Sequence, residues 1–550
     1  MKSVLRKSWP KSIPEKLTYR LGEKPLHEYL MQNAVDYPDQ ASYVYYGNAL
    51  TWKELNENTT CFAKYLQDIG VKKGDRIALF MQNSPQYIIG NYAIQMLGAI
   101  VVPLNPMYKE SELEYSMNEV DIRGVIVGQE LYNRLATIRD NLPSLKFVIT
   151  TNYADFLSEQ ITLPLPDELK LEKQVFSDTF DMLEGINKSN PIKETAPIDI
   201  WEDTGLMVFT SGTTGRPKAA LLSYGNALFK TAAAAQSYAL SKNDTTLASA
   251  PLCHIAGMVM GLNIPVYSAN ECILLTRFEP EAAIKAIETY QVNKMYTIAP
   301  MNAAILHYPG IENRDLTSLK INMATSFGMS VDEQLAHALA TLTDGCLLFE
   351  ASYGLSETHT MDTMMPLDNI KYGTCGIAIY DTQFRIVDLI TKEDLPPGKQ
   401  GEIAIKSPGV FKGYLNRPDA TDETLRHGWV FTGDIGTIDE EGYLYFEGRV
   451  KEMIKSSGFS VFPEDVEALL SDHPAVSQVA VIGVPHKEKG EVVKAFIVLA
   501  SDYKDKPTEQ EFIEWAKDKM AAYKYPREIE FLDSLPATAS GKVLRRLLKE

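Results

Sequence analysis

The chain has 550 residues, of which 45% are hydrophobic and 23% charged, and its formal net charge is -18. This length exceeds that of one ordinary domain and predicts a large domain with a smaller one, or three lobes. The acidic balance repels phosphate backbones and no basic cluster offsets it, so composition argues against a nucleic-acid partner. A nucleotide-binding site remains compatible with this negative charge, because a few cationic side chains can make the electrostatic potential positive at one place on the surface.

The cysteines and the lengths of the apolar segments indicate where in the cell the protein is expected to be. The five cysteines, at positions 61, 253, 272, 346 and 375, form neither a CxxC pair nor a metal-ligand spacing. This pattern is typical of reduced thiols and predicts a cytoplasmic protein. The basic N-terminus has no apolar segment behind it, which excludes a secretory signal. Apolar windows such as 255–266 are too short to cross a bilayer, so we expect no transmembrane segment and at most a loose membrane association.

The first half of the chain alternates between short apolar runs and helical patterns. Strands are predicted at 76–81, 100–104, 124–128 and 146–150, with helices at 85–98, from 111 and from 130. This alternation, with β-branched residues in the strands, indicates parallel βαβ units. The same rhythm restarts at 206 and continues to about 350, while 153–194 is irregular and receives no assignment. We therefore expect an α/β fold with two doubly wound sheets side by side.

The pattern changes after about residue 374. Short predicted strands at 384–388, 401–406 and 443–447 are separated by turn sequences, which indicates a small antiparallel β lobe over about 374–446. A last α+β unit follows, with helices at 463–470 and 509–520 and strands at 476–484 and 492–499. The predicted domains are residues 1–449, including the β lobe, and residues 450–550.

A loop of small residues carries the first chemical signal. The strand predicted at 206–209 runs into TSGTTGRPK at 210–218, and a helical pattern starts at Ser223. Such a loop presents backbone N–H groups and hydroxyls, and its lysine adds a positive charge, which suits a polyphosphate. It is not the P-loop of NTPases, since Pro217 and Ala219 stand where that motif needs Gly and a hydroxyl. A pattern this long is rare by chance, which favours a phosphate site over a loop of turn formers.

Five further motifs follow in order. They are PLCHIAG at 251–257, YGLSET at 353–358, GWVFTGD at 428–434, GRVKEMIKSSGFSVFPEDVE at 448–467 and LPATASGKVLRR at 535–546. With the loop, they resemble the adenylate-forming superfamily of acyl-CoA synthetases, luciferases and peptide-synthetase adenylation domains, over about residues 25–546. The stretch 251–309 is most similar to long- and medium-chain fatty acid ligases. The resemblance implies an acyl-adenylate formed from ATP and a fatty acid, followed by transfer to coenzyme A, with Mg²⁺ as cofactor.

The resemblance also implies a nucleotide site. The loop from Thr210 to Lys218 would hold the β- and γ-phosphates, and Glu357, with Thr210, would hold Mg²⁺, a cation that prefers oxygen ligands. Tyr353 would stack on adenine, although alone it suggests a core aromatic residue. Ser356 would reach the α-phosphate. The implied nucleotide-binding residues are Thr210, Ser211, Gly212, Thr213, Thr214, Gly215, Lys218, Tyr353, Gly354, Ser356, Glu357, Asp434, Arg449 and Lys542.

Two of these residues would bind the ribose hydroxyls. They are Asp434 and Arg449, and a carboxylate that accepts from hydroxyls resembles the acidic ribose ligand of dinucleotide sites. By itself Asp434 could equally be a turn residue before Gly436. The pair is thus assigned by its motifs.

The implied catalytic residues are Lys542, His254, Lys451 and Lys218. Lys542, alone a typical surface charge, would contact both the carboxylate and the α-phosphate and reduce their repulsion. Lys451 would be the hinge about which a mobile C-terminal domain rotates after adenylation. Gly458 would line the thiol tunnel, where a missing Cβ admits the pantetheine arm.

The acyl pocket is implied near the second motif. Its expected residues are His254, Ala256, Gly257 and Gly261, with His254 as a gate beside the carboxylate or, on a simpler view, a hydrogen-bonded core histidine. The segment 255–266 contains no carboxylate, and its small residues leave room for a chain. Two departures from the family pattern, at 326–330 and at Ser352, touch the adenine or acyl pocket.

Three functions stay open at this point. The first is a fatty acyl-CoA synthetase, and the second is an aryl-CoA or amino-acid-adenylating ligase of the same superfamily. The third is a non-catalytic nucleotide-binding relic, which has no need of both Lys218 and Lys542. The sequence leaves monomer and homodimer equally open.

Overall fold

We describe a computed structural model of the chain. It describes residues 6–210, 217–327, 329–456, 459–486, 490–500, 503, 507–538 and 543–549, and for 459, 460 and 490 only the backbone. Several predicted site residues lie outside these ranges: Ser211, Gly212, Thr213, Thr214, Gly215, Gly458 and Lys542.

The first large sheet has seven strands. In spatial order they are Phe180–Asp181, Phe147–Thr151, Gly124–Gly128, Arg76–Phe80, Ile100–Pro103, Thr204–Thr210 and Lys218–Ser223. All neighbours are parallel except the last two, which form an antiparallel hairpin. The four strands predicted between 76 and 150 are confirmed to within a residue or two at each end.

The second large sheet also has seven strands. Their spatial order is Leu347–Glu350, Ile321–Thr325, Lys294–Ile298, Thr245–Ala248, Glu271–Leu274, Ala41–Tyr45 and Asn48–Thr51. The first six are parallel, and the last pairs antiparallel with its neighbour. The prediction of two sheets side by side is confirmed, but two strands come from the N-terminus, where the sequence analysis expected none.

Helices fill the space between and outside the sheets. Their bounds are Leu26–Asp36, Trp52–Asp68, Pro85–Met96, Glu110–Glu119, Tyr132–Ile138, Met182–Lys188, Tyr224–Ser237, Ile255–Gly257, Ile264–Ser268, Pro280–Tyr290, Ala299–Leu306, Glu333–Thr343 and Pro418–Thr424. Helix Pro85–Met96 is buried around nearly its whole circumference, as expected for a helix enclosed by others. Its start is fixed by Ser84, whose hydroxyl accepts from the N–H of Tyr87, a cap that contributes about 1 kcal/mol.

The β lobe is antiparallel, as predicted. Strands Gln383–Val387, Gly401–Lys406, Trp429–Ile438 and Leu425–Arg426 are neighbours in one sheet, and Leu444–Arg449 also pairs with Trp429–Ile438. A separate two-stranded ribbon joins Thr363–Met364 to Ile377–Ala378. The long strand from Trp429 was not predicted, although the motif within it was recognised.

The C-terminal unit has its own sheet and its own core. The sheet contains Phe459–Val461, Ile454–Ser456, Gly490–Leu499, Val476–His486 and Glu528–Phe531. Helices Pro463–Ser471 and Glu509–Lys519 pack against it around residues such as Val466, Ile497 and Phe512. A large N-terminal domain followed by a smaller α+β domain is therefore confirmed as fold class, while the boundary at 449/450 stays a prediction.

Two segments differ from what periodicity suggested. The unassigned stretch 153–194 holds 3-10 turns, a two-residue strand at the sheet edge and helix Met182–Lys188. The apolar run after His254 is an interrupted helix, because a π-helical segment, Met258–Asn263, separates Ile255–Gly257 from Ile264–Ser268. Throughout the described ranges, no helix combines the length and apolarity needed to cross a bilayer.

Candidate active site

The ends of the phosphate loop are fixed by a hairpin. Strands Thr204–Thr210 and Lys218–Ser223 pair antiparallel, and Thr210 lies opposite Lys218. The Thr210 hydroxyl donates to the Lys218 carbonyl oxygen over 3.5 Å. The helix predicted from Ser223 is confirmed, since it starts at Tyr224 with Ser223 as its cap; the six-residue strand Lys218–Ser223 before it was not predicted.

Lys218 belongs to a cluster that also contains the predicted metal ligand. Its ammonium lies 4.4 Å from the centroid of the Tyr414 ring, within cation–π range. The Tyr414 hydroxyl in turn donates to Oε1 of Glu357 over 2.6 Å. Burial and the Glu357 carboxylate hold the pKa of Tyr414 well above its ordinary value, so this hydroxyl remains a donor at physiological pH.

Tyr414 was missed by the sequence analysis. Its segment reaches the site because residues 412–415 run beside strand Lys218–Ser223, with hydrogen bonds from Leu221 N–H to Gly413 O and from Leu415 N–H to Ala219 O. Gly413 has φ +135 and a Cβ there would approach Thr421 Cγ2 to 2.8 Å, so glycine is needed at this turn. A Gly-Tyr pair after an apolar run is the only local signal, and it is weak.

A second cluster joins the three residues expected around adenine and ribose. The Tyr353 hydroxyl donates to Asp434 Oδ2 over 2.7 Å, and Arg449 Nε lies 3.1 Å from Asp434 Oδ1. Asp434 and Arg449 are direct partners in the ladder between Trp429–Ile438 and Leu444–Arg449. Asp434 is only 2% exposed, so its charge depends on these partners.

The electrostatics of this cluster favour the ionised pair. Burial disfavours a charged guanidinium, but the carboxylates of Asp434 and Glu452 outweigh it and raise the pKa of Arg449. Burial, together with Asp434, holds the pKa of Tyr353 far above its usual range. Tyr353 therefore presents a neutral ring whose hydroxyl orients the carboxylate, a role that the sequence did not reveal.

The loop between the two clusters folds back on itself. A Cβ on Gly354 would come within 2.4 Å of the backbone nitrogen of Met361, so only glycine fits there. Ser356 and Glu357 lie in the 3-10 turn Ser356–Thr358, and the Glu357 carbonyl accepts from the N–H of Phe411 over 2.8 Å. This turn brings Glu357 to the Lys218 cluster while Tyr353 remains with Asp434.

His254 precedes the interrupted helix. It occupies the N-cap position of Ile255–Gly257, and its carbonyl accepts from the N–H of Met258 over 2.8 Å. π-Helical segments are rare and are frequently found at functional sites. His254 therefore lies at the start of the interrupted helix, directly before the short turn that leads into its π-helical segment.

A cavity lies between this helix and the second sheet. Gly257 and Gly261 are on its wall, whereas His254 and Ala256 are not among its lining residues. Both glycines also meet close neighbours: a Cβ on Gly257 would lie 2.1 Å from the Pro251 carbonyl oxygen, and one on Gly261 would lie 2.9 Å from Ala248 Cβ. These two glycines are needed because the helix lies close to its neighbours. The space in the cavity therefore comes from the distance between helix and sheet, and not from the missing side chains of the glycines.

Glu350 was also missed, and it explains one departure from the family pattern. Ser326 donates to Glu350 Oε2 from its backbone N–H over 3.0 Å and from its hydroxyl over 2.5 Å. Burial raises the pKa of Glu350 to about 7, although the Ser326 contacts oppose the shift. A serine at 326 therefore binds a carboxylate at the end of strand Leu347–Glu350.

Of the remaining predicted residues, the structure describes only Lys451. Lys451 is exposed in the turn between strands Leu444–Arg449 and Ile454–Ser456, next to the predicted domain boundary. Gly458, Lys542 and the loop at 211–216 fall outside the described residues.

The oxygen donors at Glu357 and Thr210 suit Mg²⁺. This cation is commonly held by one or two carboxylates together with phosphate oxygens and water. Within the described ranges no group of three or more His, Cys, Asp or Glu side chains could hold a metal ion. A site completed by the nucleotide therefore fits these residues better than one built from protein ligands alone.

Comparison with known families agrees with the motifs. A family model described as AMP-binding enzyme matches residues 30–415, and one described as AMP-binding enzyme C-terminal domain matches residues 465–542.

Individual relatives match along nearly the whole chain. A long-chain-fatty-acid–CoA ligase of Bacillus subtilis is 33% identical over 98% of this chain and 97% of its own. One of Escherichia coli is 31% identical over 100% of this chain and 98% of its own. Among solved structures, an anthranilate CoA ligase in complex with anthranoyl-AMP superposes with a TM-score of 0.85 at 25% identity, covering 96% of each chain. The chain therefore belongs to the AMP-binding enzymes, the adenylate-forming superfamily that includes the acyl-CoA ligases.

Proposed function

We propose that the protein is an ATP-dependent acyl-CoA synthetase acting on medium- or long-chain fatty acids. In the first step a carboxylate oxygen attacks the α-phosphorus of ATP and pyrophosphate leaves. In the second, the thiol of coenzyme A loses its proton and attacks the acyl carbon, and AMP leaves. The observation that carries the proposal is the loop from Tyr353 to Glu357, which joins the Tyr353–Asp434–Arg449 cluster to the Lys218–Tyr414–Glu357 cluster.

The two clusters supply what the first step needs. The Tyr353 ring would stack on adenine, while Asp434 and Arg449 bind the ribose hydroxyls. Thr210, the loop after it and Lys218 would hold the leaving phosphates, and Ser356 the α-phosphate. Positioning the reactants and neutralising the developing charge account for most of the catalysis expected in such a step.

The metal would be held by Glu357 with Thr210. When bound there, Mg²⁺ neutralises phosphate charge. Tyr414 donates to one Glu357 oxygen and so orients the carboxylate before the nucleotide arrives.

The cavity supports an apolar acid. Its wall includes the side chains of Leu240, Leu247, Met260, Ile264 and Met295. Lys294 also lines it, but its ammonium already donates to the carbonyls of Tyr238 and Ala239 and to Asp244. A free charge on the substrate would therefore be buried unpaired, whereas each buried methylene contributes about 0.8 kcal/mol.

The second step would use the C-terminal domain. In this proposal Lys542 assists adenylation, His254 gates the carboxylate, and rotation of residues 450–550 about Lys451 brings Gly458 to the thiol tunnel. The exposure of Lys451 supports a hinge, because a charged residue there stays solvated in either orientation. We place the reaction in the cytoplasm, where the five free cysteines would remain reduced.

An aryl acid is the second candidate. It is favoured by the fold similarity to the anthranilate CoA ligase, whose acid is aromatic. The decisive experiment measures pyrophosphate and AMP release with ATP, coenzyme A and a panel of acids from two to eighteen carbons, with benzoate and an amino acid. A rise from acetate to a plateau at eight carbons or more supports the proposal; a maximum at benzoate favours the aryl enzyme. No release with any acid would leave only nucleotide binding.

A further inference from the structure

A buried ion pair lies beside the loop that carries Glu357. Lys230, in helix Tyr224–Ser237, and Asp362 are both 0% exposed, and Lys230 Nζ donates to Asp362 Oδ1 over 2.6 Å. Lys230 Nζ also donates to the carbonyl oxygen of Met361 over 2.9 Å. The other oxygen of Asp362 accepts from the hydroxyl of Thr358, the residue after Glu357.

The backbone between Thr358 and Asp362 is strained. His359, Thr360 and Met361 have φ values of +56, +54 and +46, three consecutive non-glycine residues in the left-handed region. Residues with a Cβ avoid this region, and single instances persist only where the surroundings enforce them. A run of three therefore requires strong external contacts.

The ion pair supplies contacts at both ends of that run. Lys230 binds the carbonyl of Met361 at its end, and Asp362 binds the hydroxyl of Thr358 before its start. Two backbone bonds complete the fold-back, from Thr360 N–H to Leu355 O and from Asp362 N–H to Tyr353 O, each 2.7 Å. The same few residues thus connect the pair to both Tyr353 and Glu357.

The surroundings are shaped for the lysine. A Cβ on Gly409 would lie 2.2 Å from Lys230 Cε and 2.7 Å from the Thr358 carbonyl oxygen, so glycine there admits both the lysine stem and the loop. His359 is fully buried beside the pair, and neither ring nitrogen has a hydrogen-bond partner among the described residues.

We propose that Lys230 and Asp362 are positioning residues for the nucleotide and its metal. The pair fixes the left-handed run and, through Thr358, the place of Glu357 beside Lys218 and Tyr414. This inference rests on the proposed function in assigning Glu357 to Mg²⁺. Neither Lys230 nor Asp362 is expected to touch the substrate.

A double substitution tests the proposal. Lys230→Met with Asp362→Leu removes both charges together, and replacing a buried pair by apolar groups is often neutral for stability, whereas removing one partner is not. We expect a folded protein in which the contacts to Met361 and Thr358 are lost. In ATP–pyrophosphate exchange, KM for ATP and the Mg²⁺ concentration at half-maximal rate should rise about tenfold or more, while KM for the fatty acid changes less than twofold.

A second readout needs no activity. Without nucleotide, amide hydrogen exchange over residues 354–363 should be faster in the double variant than in the wild type, because the strained run is released. Unchanged exchange there, or unchanged dependence on ATP and Mg²⁺, overturns the proposal.

Reference variants separate the possible failures. Glu357→Gln should raise the Mg²⁺ requirement; if it does and the double variant does not, the positioning role fails and the proposed function stands. If Glu357→Gln has no effect, the metal assignment itself fails. Arg314→Met, which removes ion pairs with Glu281 and Glu288 away from the site, should lower Tm without changing KM for ATP.

A milder pair covers the case in which the double variant does not fold. Thr358→Val removes the hydroxyl, which donates to Asp362 and also bonds the backbone of Leu355, and Thr358→Ser retains all of these contacts. The valine variant should raise the Mg²⁺ concentration at half-maximal rate severalfold. The serine variant should have the same value as the wild type. Equal behaviour of the two variants overturns the proposal.

Discussion

The proposed nucleotide side and the proposed acyl side of this molecule are built by opposite means. On the nucleotide side, Tyr353, Asp434 and Arg449 are bonded to one another, and Tyr414 donates to Glu357. On the acyl side, the cavity is walled mainly by aliphatic and methionine side chains, and the ammonium of Lys294 is already engaged.

This difference has a functional consequence. Directional contacts hold one geometry and reject ligands that leave them unpaired, whereas an apolar cavity separates neighbouring chain lengths only weakly. Substitutions on the nucleotide side should therefore cause large losses with every acid. Substitutions on the acyl side should change which acid is preferred and leave ATP use intact.

The largest effect is expected from Asp434→Ala. It removes the proposed acceptor for two ribose hydroxyls, and hydrogen bonds to a charged group contribute about 1.5–3 kcal/mol each, so kcat/KM for ATP should fall about a thousandfold. The measurement is ATP–pyrophosphate exchange at varied ATP with each of several acids. Tyr353→Phe is the matched control, since it loses only the hydroxyl that orients Asp434 and should cost about tenfold. A loss that depends on the acid would contradict the division between the two sides.

A second large effect is expected at Lys542, which is proposed to contact both the carboxylate of the acid and the α-phosphate of the nucleotide. Lys542→Ala should reduce ATP–pyrophosphate exchange about a hundredfold, the size expected for losing a charge contact in the transition state. Because Lys542 is proposed to act in only one domain orientation, thioester formation from pre-made acyl-adenylate should be spared.

The complementary variants should show the reverse pattern. Lys451→Pro restricts the proposed hinge and Gly458→Leu obstructs the proposed tunnel, so both should retain exchange and lose acyl-CoA formation. Parallel loss of both half-reactions in all three variants would indicate a folding defect and remove the assignment of Lys542 to adenylation.

A moderate effect is expected on the acyl side. Met260 lines the cavity, so Met260→Trp should shorten it and lower kcat/KM for acids of twelve carbons or more by about tenfold relative to eight, which corresponds to about two excluded methylenes at about 0.8 kcal/mol each. Met260→Ala should shift the optimum towards longer acids. KM for ATP should change less than twofold in both. An unchanged chain-length profile would mean that the acid lies elsewhere.

The sequence predicts the buried parallel strands between 76 and 151 well, but it predicts poorly the strands and contacts that depend on distant pairing. Buried parallel strands such as Gly124–Gly128 are continuous apolar runs, which periodicity detects. Lys218–Ser223 was missed because its alanines and leucines suit a helix as well as a strand, and the hairpin that forms it depends on pairing with Thr204–Thr210. The strands at Ala41–Tyr45 and Asn48–Thr51 join a sheet whose other members begin only at Thr245.

The site shows the same limit. The motifs identify Lys218, Glu357 and Asp434, because each stands in a run of residues with a specific chemical requirement. Tyr414 lies 57 residues from Glu357, and Asp362 lies 132 residues from Lys230, so no local pattern marks either contact. Glu350 was missed for a related reason: its burial, not its sequence context, shifts its pKa.

The smallest effect is expected at Glu350, on the border between the two sides. The Glu350 carboxylate accepts a hydrogen bond from Ser326. Burial first, and the charge of Glu350 in addition, raise the pKa of Tyr296 on the cavity wall. Burial raises the pKa of Glu350 from 4.5 to about 7, so the folded protein binds this proton more tightly than the unfolded chain. The stability associated with it is present below pH 4.5 and is lost as pH rises through 7, a loss of about 3 kcal/mol by pH 8, since one pKa unit corresponds to about 1.4 kcal/mol.

Glu350→Gln keeps the shape of the side chain and removes the titration. The difference in Tm between variant and wild type should therefore grow in favour of the variant between pH 5 and pH 8, by a few degrees, because about 1 kcal/mol shifts Tm by roughly 2–4 °C in a domain of 150–250 residues and by less in a larger one. Glu288→Gln is the control. Arg314 lowers the pKa of Glu288, whose contribution is therefore complete at both pH values, and its loss should reduce Tm equally at each. If the difference in Tm between Glu350→Gln and the wild type is the same at pH 5 and pH 8, burial does not hold the carboxyl group protonated. The environment of Glu350, between the two proposed sides, is then as polar as the proposed nucleotide site.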